Sequence, residues 1–146
     1  MDVDTQITGK IVDAAYQLHS RLGPGLMESA YEAILARMLE ERGLTVERQK
    51  SIAIEFDGIK LPDAFRVDLL VEGKVVVELK ALEHLAPVHV RQVVTYLRLL
   101  DQPVGLLINF GAAKLKDGLR RISNTRSSYH DPAAGDSFDG GEHLSG

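Results

Sequence analysis

A chain of 146 residues, 45% hydrophobic and 26% charged, has the size and balance of one globular domain with a real core. It has no cysteine, which excludes disulfides and thiolate metal sites and fits a reducing cytoplasm; no apolar run reaches the roughly 18 residues that span a membrane, and no basic-then-apolar leader is read at its start. The net charge of −4 excludes a strongly basic nucleic-acid binder, although residues 1–124 hold 16 Lys+Arg against 17 Asp+Glu and most of the acidity lies in residues 125–146.

Residues 4–22 place Ile7, Ile11, Ala14, Ala15, Leu18 and Leu22 at helical spacing, and Gly23-Pro24-Gly25 stops that helix. A second helix is expected from about 26 to 42, with Leu26, Ala30, Ala33, Ile34 and Met38 among charged partners and Gly43 as its cap. Gly25, Glu28 and Tyr31 stand three apart, so Glu28 and Tyr31 share a face. By themselves they read as a solvated glutamate beside a half-buried tyrosine. Residues 44–56 alternate in part, through Val46, Ile52, Ile54 and Phe56, and suggest a strand with an irregular start around Glu47–Lys50. Asp57-Gly58 is a strong turn signal, and Pro62 is expected to cut short the strand it feeds.

Residues 65–81 then form a β-hairpin about Glu72-Gly73. Alternation puts Phe65, Val67, Leu69 and Val71 on one face of the first strand, and Val75, Val77 and Leu79 on one face of the second. Arg66 and Asp68, and Glu78 and Lys80, take the opposite faces. Two readings stay open on the residues alone. The charges can be the watered side of an antiparallel sheet. Alternatively, Asp68, Glu78 and Lys80 are an Asp…Glu-x-Lys set, whose carboxylates suit a hard divalent cation and whose lysine handles the attacking water. Parity separates the two readings: a two-residue loop would set Asp68 and Glu78 on opposite faces. The metal reading therefore requires an odd connection or a bulge, such as a three-residue loop with Gly73 left-handed.

After the link Ala81–Ala86, Pro87 opens a helix to about 101 with Val90, Val93, Val94, Leu97 and Leu100 as its core stripe. His89, Gln92 and Tyr96 form a separate stripe, which without context is ordinary polar surface. Residues 103–110 read as a strand buried on both faces. Lys114, Lys116, Arg120 and Arg121 alternate with Leu115, Leu119 and Ile122 as an amphipathic terminal helix, or else a phosphate-facing patch. From Thr125 on, Ser, Gly, Asp and His predict a disordered tail over 125–146. The order predicts an α/β sandwich with a mixed sheet.

The segment Gly25-Leu26-Met27-Glu28-Ser29-Ala30-Tyr31 matches the pattern that names the GxxExxY proteins. Over about residues 5–124 the chain resembles that family of the PD-(D/E)xK nuclease superfamily, through Arg66-Val67-Asp68, Val77-Glu78-Leu79-Lys80, Pro87-Val88-His89 and Leu107-Ile108-Asn109-Phe110. Gln92 and Tyr96, following Glu-x-Lys, are similar to the RecB-type branch. The resemblance implies a restriction-endonuclease-like core, a mixed central sheet flanked by helices, as a single domain over 1–124. It implies a catalytic set of Glu28, Asp68, Glu78 and Lys80, with Mg²⁺ or Mn²⁺ held by Asp68, Glu78 and the carbonyl of Leu79. It further implies substrate contacts from His89, Gln92, Tyr96 and Tyr31, and phosphodiester hydrolysis on DNA ahead of RNA. Two other readings stand beside it: a non-catalytic nucleic-acid-binding or accessory module, and an interaction protein using the first two helices as a homodimer face. A cytoplasmic protein with no membrane partner is expected.

Overall fold

The computed structural model describes residues 2–124, so the tail expected over 125–146 lies outside the described residues. Helix α1 spans Val3–Leu22 and starts where the Asp2 carboxylate accepts the Thr5 N–H at 2.7 Å, satisfying a donor that the first helical turn leaves open. Helix α2 spans Glu28–Glu41. Strands β1 (Val46–Phe56), β2 (Ile59–Val71) and β3 (Val75–Lys80) follow, then α3 (Pro87–Leu100), β4 (Val104–Asn109), the short α4 (Leu115–Gly118) and β5 (Leu119–Ser123). Among the described residues no helix is long and apolar enough to cross a membrane.

The five strands lie side by side in chain order. All neighbours are antiparallel except β3 and β4, which run parallel and are joined by the α3 crossover. One sheet face packs Leu69, Val71, Val75, Val77 and Leu79 against Ile11, Leu18, Leu35 and Leu39 of α1 and α2. The other packs Val67, Leu70, Val76 and Leu107 against Val93, Val94 and Leu97 of α3. Strand β4 is buried on both faces, which is why its sequence is a continuous apolar run.

Three expectations change. Strand β2 is not cut at Pro62: Ile52 pairs with Phe65 and Ile54 with Leu61, so Pro62 sits in an exposed bulge where a missing N–H costs the ladder nothing. The basic segment is not one helix, because after a single turn Leu119–Ser123 pairs with β4 from Ile108 to Val104 and covers what would be a bare edge. Arg121 there donates to Thr8 Oγ1 at 2.7 Å and ties β5 to α1. Finally, Phe65 and Val67 do not share a face with Leu69 and Val71: the first two pack on the α3 side, the others on the α1/α2 side. The crossover occurs at Asp68, opposite Gln49, whose φ of 50° interrupts the ladder and re-aims the side chains around it.

The link leaving β3 is clamped by buried Asn109. Its Oδ1 accepts the N–H groups of Leu82 (2.8 Å) and Gly111 (3.1 Å), and its Nδ2 donates to the Leu82 carbonyl at 2.9 Å. Gly111 passes so close that an added Cβ would lie 2.2 Å from the Leu82 oxygen. Because the obstacle is backbone, Gly111→Ala is expected to cost about 2 kcal/mol, read from urea unfolding.

Candidate active site

The β2–β3 connection has three residues, 72–74, with Glu72 (φ 57°) and Gly73 (φ 64°) both left-handed. Val71 pairs with Val75, Leu70 with Val76 and Leu69 with Val77, so the parity brings Asp68 and Glu78 together. At that point the ladder stops and the strands part. Each acid reaches across the fork: Glu78 Oε1 accepts the Asp68 N–H at 2.8 Å, and Asp68 Oδ2 accepts the Leu79 N–H at 2.8 Å. The side chains thereby replace the backbone bonds that splaying removes. Strand β3 meanwhile stays paired with β4 through Lys80 and Asn109.

Glu78 is only 4% exposed. Its carboxyl is pushed up to about 8 by burial and then by the Asp68 charge, while the Asp68 N–H and Lys80 pull it down. Lys80, two residues on and therefore on the same side of β3, borders an open cleft of about 580 Å³ lined by Val88, His89, Arg91, Gln92 and Thr95. His89 Nδ1 accepts the Ala86 N–H at 2.9 Å, which leaves Nε2 to carry the proton of the neutral ring. Burial, then the nearby Lys80, lowers the pKa of that ring. Tyr96 is stacked on Phe65 with centroids 4.3 Å apart. Burial, then the charges of Glu78 and Asp68, pushes its hydroxyl up against a hydrogen bond from Gln92.

Glu28 opens α2 at the exposed rim. Its carboxyl is pushed up by partial burial, opposed by Lys80 and reinforced by Asp68 and Glu32, so its electrostatic neighbours are those of the fork. Tyr31 is the correction to the expected set. It does not face the cleft: it is fully buried, stacked on Phe110 at 4.5 Å, and its Oη donates to the Gly23 carbonyl at 2.5 Å while accepting the Leu26 N–H at 3.2 Å. The tyrosine of the motif therefore fastens the loop before α2, in which Gly25 takes φ 122°, an angle suited to glycine. That loop delivers Glu28.

Three residues at the site were not singled out from the sequence. Glu32, one turn after Glu28, is buried and pairs with Arg48 at 3.2 Å. Gln49 Nε2 donates to Glu32 at 2.7 Å and to Asp68 Oδ1 at 3.2 Å. The broken alternation at Glu47–Lys50 was the available signal. Among the described residues no group of three or more His, Cys, Asp or Glu side chains could hold a metal ion.

A family model described as the PD-(D/E)XK nuclease superfamily matches residues 5–122. The chain belongs to that superfamily. No curated protein and no solved structure gives a significant match. As a PD-(D/E)XK chain it has the nuclease-like α/β core, and Glu78-Leu79-Lys80 spells the (D/E)XK letters, with Asp68 as the acid across the fork.

Proposed function

We propose that this PD-(D/E)XK protein is a Mg²⁺- or Mn²⁺-dependent nuclease that hydrolyses phosphodiester bonds, DNA in preference to RNA, with the ion at Asp68, Glu78 and the Leu79 carbonyl. The observation that carries the reading is the fork: two facing carboxylates, one pushed up to about 8 by burial and by the other, with Lys80 beside them. Such a pair resists carrying two negative charges, and a hard cation relieves that resistance through oxygen ligands; the donor chemistry fits. What the ion supplies when bound is charge for the phosphate oxygens and an acidified water.

The chain's own groups account for the rest. Lys80 would hold the water and offset charge at the cleft wall, with Glu28 accepting a proton from the rim. His89 would donate from Nε2 to a phosphate oxygen, and Gln92 and Tyr96 would steady the strand carrying it. The cationic lining of the cleft by Lys80 and Arg91 supports a phosphate-bearing substrate. A second reading, a non-catalytic nucleic-acid-binding or accessory module with a nuclease-like fold, is supported in its accessory form by the near-neutral charge of residues 1–124, which offers little phosphate neutralisation. A groove between α1 and α2, with Leu18, Leu22, Ile34 and Met38 among the polar side chains of Gln17, Arg21, Glu41 and Arg42, is the surface on which self-association as a homodimer would rest.

The test is cleavage of single- and double-stranded DNA and RNA with Mg²⁺ or Mn²⁺, beside Lys80→Ala and Glu78→Ala. Each variant is expected to lose about 10²-fold or more in rate. No cleavage of any substrate, with metal binding demonstrated, would replace the nuclease reading with the accessory one.

A further inference from the structure

Gln49 of β1 lies opposite Asp68, in the gap between the Arg48–Leu69 and Lys50–Val67 pairs. Its φ of 50° is left-handed in the middle of a strand, a conformation that a glutamine keeps only where its surroundings impose it. Here they do. One amide nitrogen donates to Glu32 Oε1 at 2.7 Å and to Asp68 Oδ1 at 3.2 Å. That nitrogen carries two protons, one for each acid, so the orientation of the amide is fixed. Glu32 is 6% exposed, and its Oε2 takes Arg48 Nε at 3.2 Å. The row runs cation, buried carboxylate, neutral donor, acid at the fork.

We propose that Gln49 is a positioning residue: its amide, anchored by Glu32 and Arg48, turns the Asp68 carboxylate into the fork between β2 and β3. A neutral donor suits this place. An arginine or lysine would neutralise Asp68 and compete with a cation, and a third acid would repel it. Without the amide, Asp68 loses its Oδ1 partner on β1 while its Oδ2 still accepts the Leu79 N–H. The consequence for metal affinity rests on Asp68 being a ligand, as proposed above; the consequence for the Asp68–Leu79 hydrogen bond does not.

Gln49→Gly separates the roles, because glycine adopts φ 50° freely and the backbone is kept while the amide is lost. Gln49→Asn is the second variant: asparagine tolerates the left-handed region but is one methylene too short to span both acids. In metal-free protein, the Leu79 amide is expected to exchange about tenfold faster relative to the Val77 amide in both variants, the Val77 amide serving as the reference for any general loss of stability from the bond to Glu32. Unchanged Leu79 exchange would overturn the proposal. In calorimetric titration with Mn²⁺, Gln49→Gly is expected to bind about tenfold more weakly, and Asp68→Ala not at all. Wild-type affinity in Gln49→Gly would overturn the positioning role while leaving the metal reading intact. Accelerated Leu79 exchange in a protein that takes up no Mn²⁺ would support the positioning role and remove the metal reading.

Discussion

Glu78→Gln is expected to stabilise the metal-free protein at pH 8 and to erase a pH dependence that the wild type shows between about 4.5 and 8. The sign follows from the shift. In the unfolded chain this carboxyl ionises near 4.5, whereas in the folded state it holds its proton to about 8. Between those values the folded state binds more protons, so wild-type stability falls as pH rises through the window and levels off above it. Below about 4.5 both states are protonated and the penalty is absent. At about 1.4 kcal/mol for each pH unit the window is worth roughly 3–5 kcal/mol. Glutamine keeps the shape, and its carbonyl oxygen can still accept the Asp68 N–H, now at no electrostatic cost. Urea unfolding at pH 5, 7 and 8.5 with chelator reads the difference; a wild type whose stability is flat across that range would show that Glu78 ionises freely in the fold. Divalent cation should reverse the wild-type trend by favouring the ionised pair, and should do little for the variant.

Tyr31→Ala is expected to cost about 3–5 kcal/mol, the usual toll for emptying an aromatic site in a close-packed core. The ring is fully buried against Phe110, so its removal empties a site inside the core. Tyr31→Phe isolates the hydroxyl. It leaves the Gly23 carbonyl and Leu26 N–H without their shared partner and should cost about 1–3 kcal/mol. Glu28→Gln, at the exposed rim, should stay within about 0.5 kcal/mol of wild type. Chemical denaturation ranks the three. A Tyr31→Phe protein as stable as wild type would mean that the loop before α2 does not depend on that hydroxyl.

What could be read from the sequence follows how local its cause is. Strand alternation and turn chemistry act over a few residues, so the hairpin, the Asp57-Gly58 turn and the odd parity required at residues 72–74 were accessible. Leu115, Leu119 and Ile122 suit one face of a helix as well as the two faces of a strand. Only the open edge of β4, a tertiary fact, decides between them. The face change at Asp68 was beyond reach for the same reason. The broken alternation at Glu47–Lys50 marks an irregularity there, but the contact of Gln49 with Glu32, a residue of another element, cannot be read from periodicity. The substrate contact that the resemblance implies for Tyr31 does not match its full burial, because a shared motif carries over a residue type and not whether its side chain meets a cleft or the core.

The parallel pairing of β3 and β4 also bears on how the chain reaches this state. The β1–β2 and β2–β3 connections close over two and three residues, whereas β3 meets β4 only after residues 81–103 have been spanned. The two hairpins can therefore pair from local sequence, whereas the parallel pair cannot form until β4 is available. Until Val104–Asn109 has left the ribosome, β3 presents Val75, Val76, Val77 and Leu79 along an unpaired edge. An unpaired β3 edge of this composition is the surface expected to be most prone to aggregation in a chain that lacks β4.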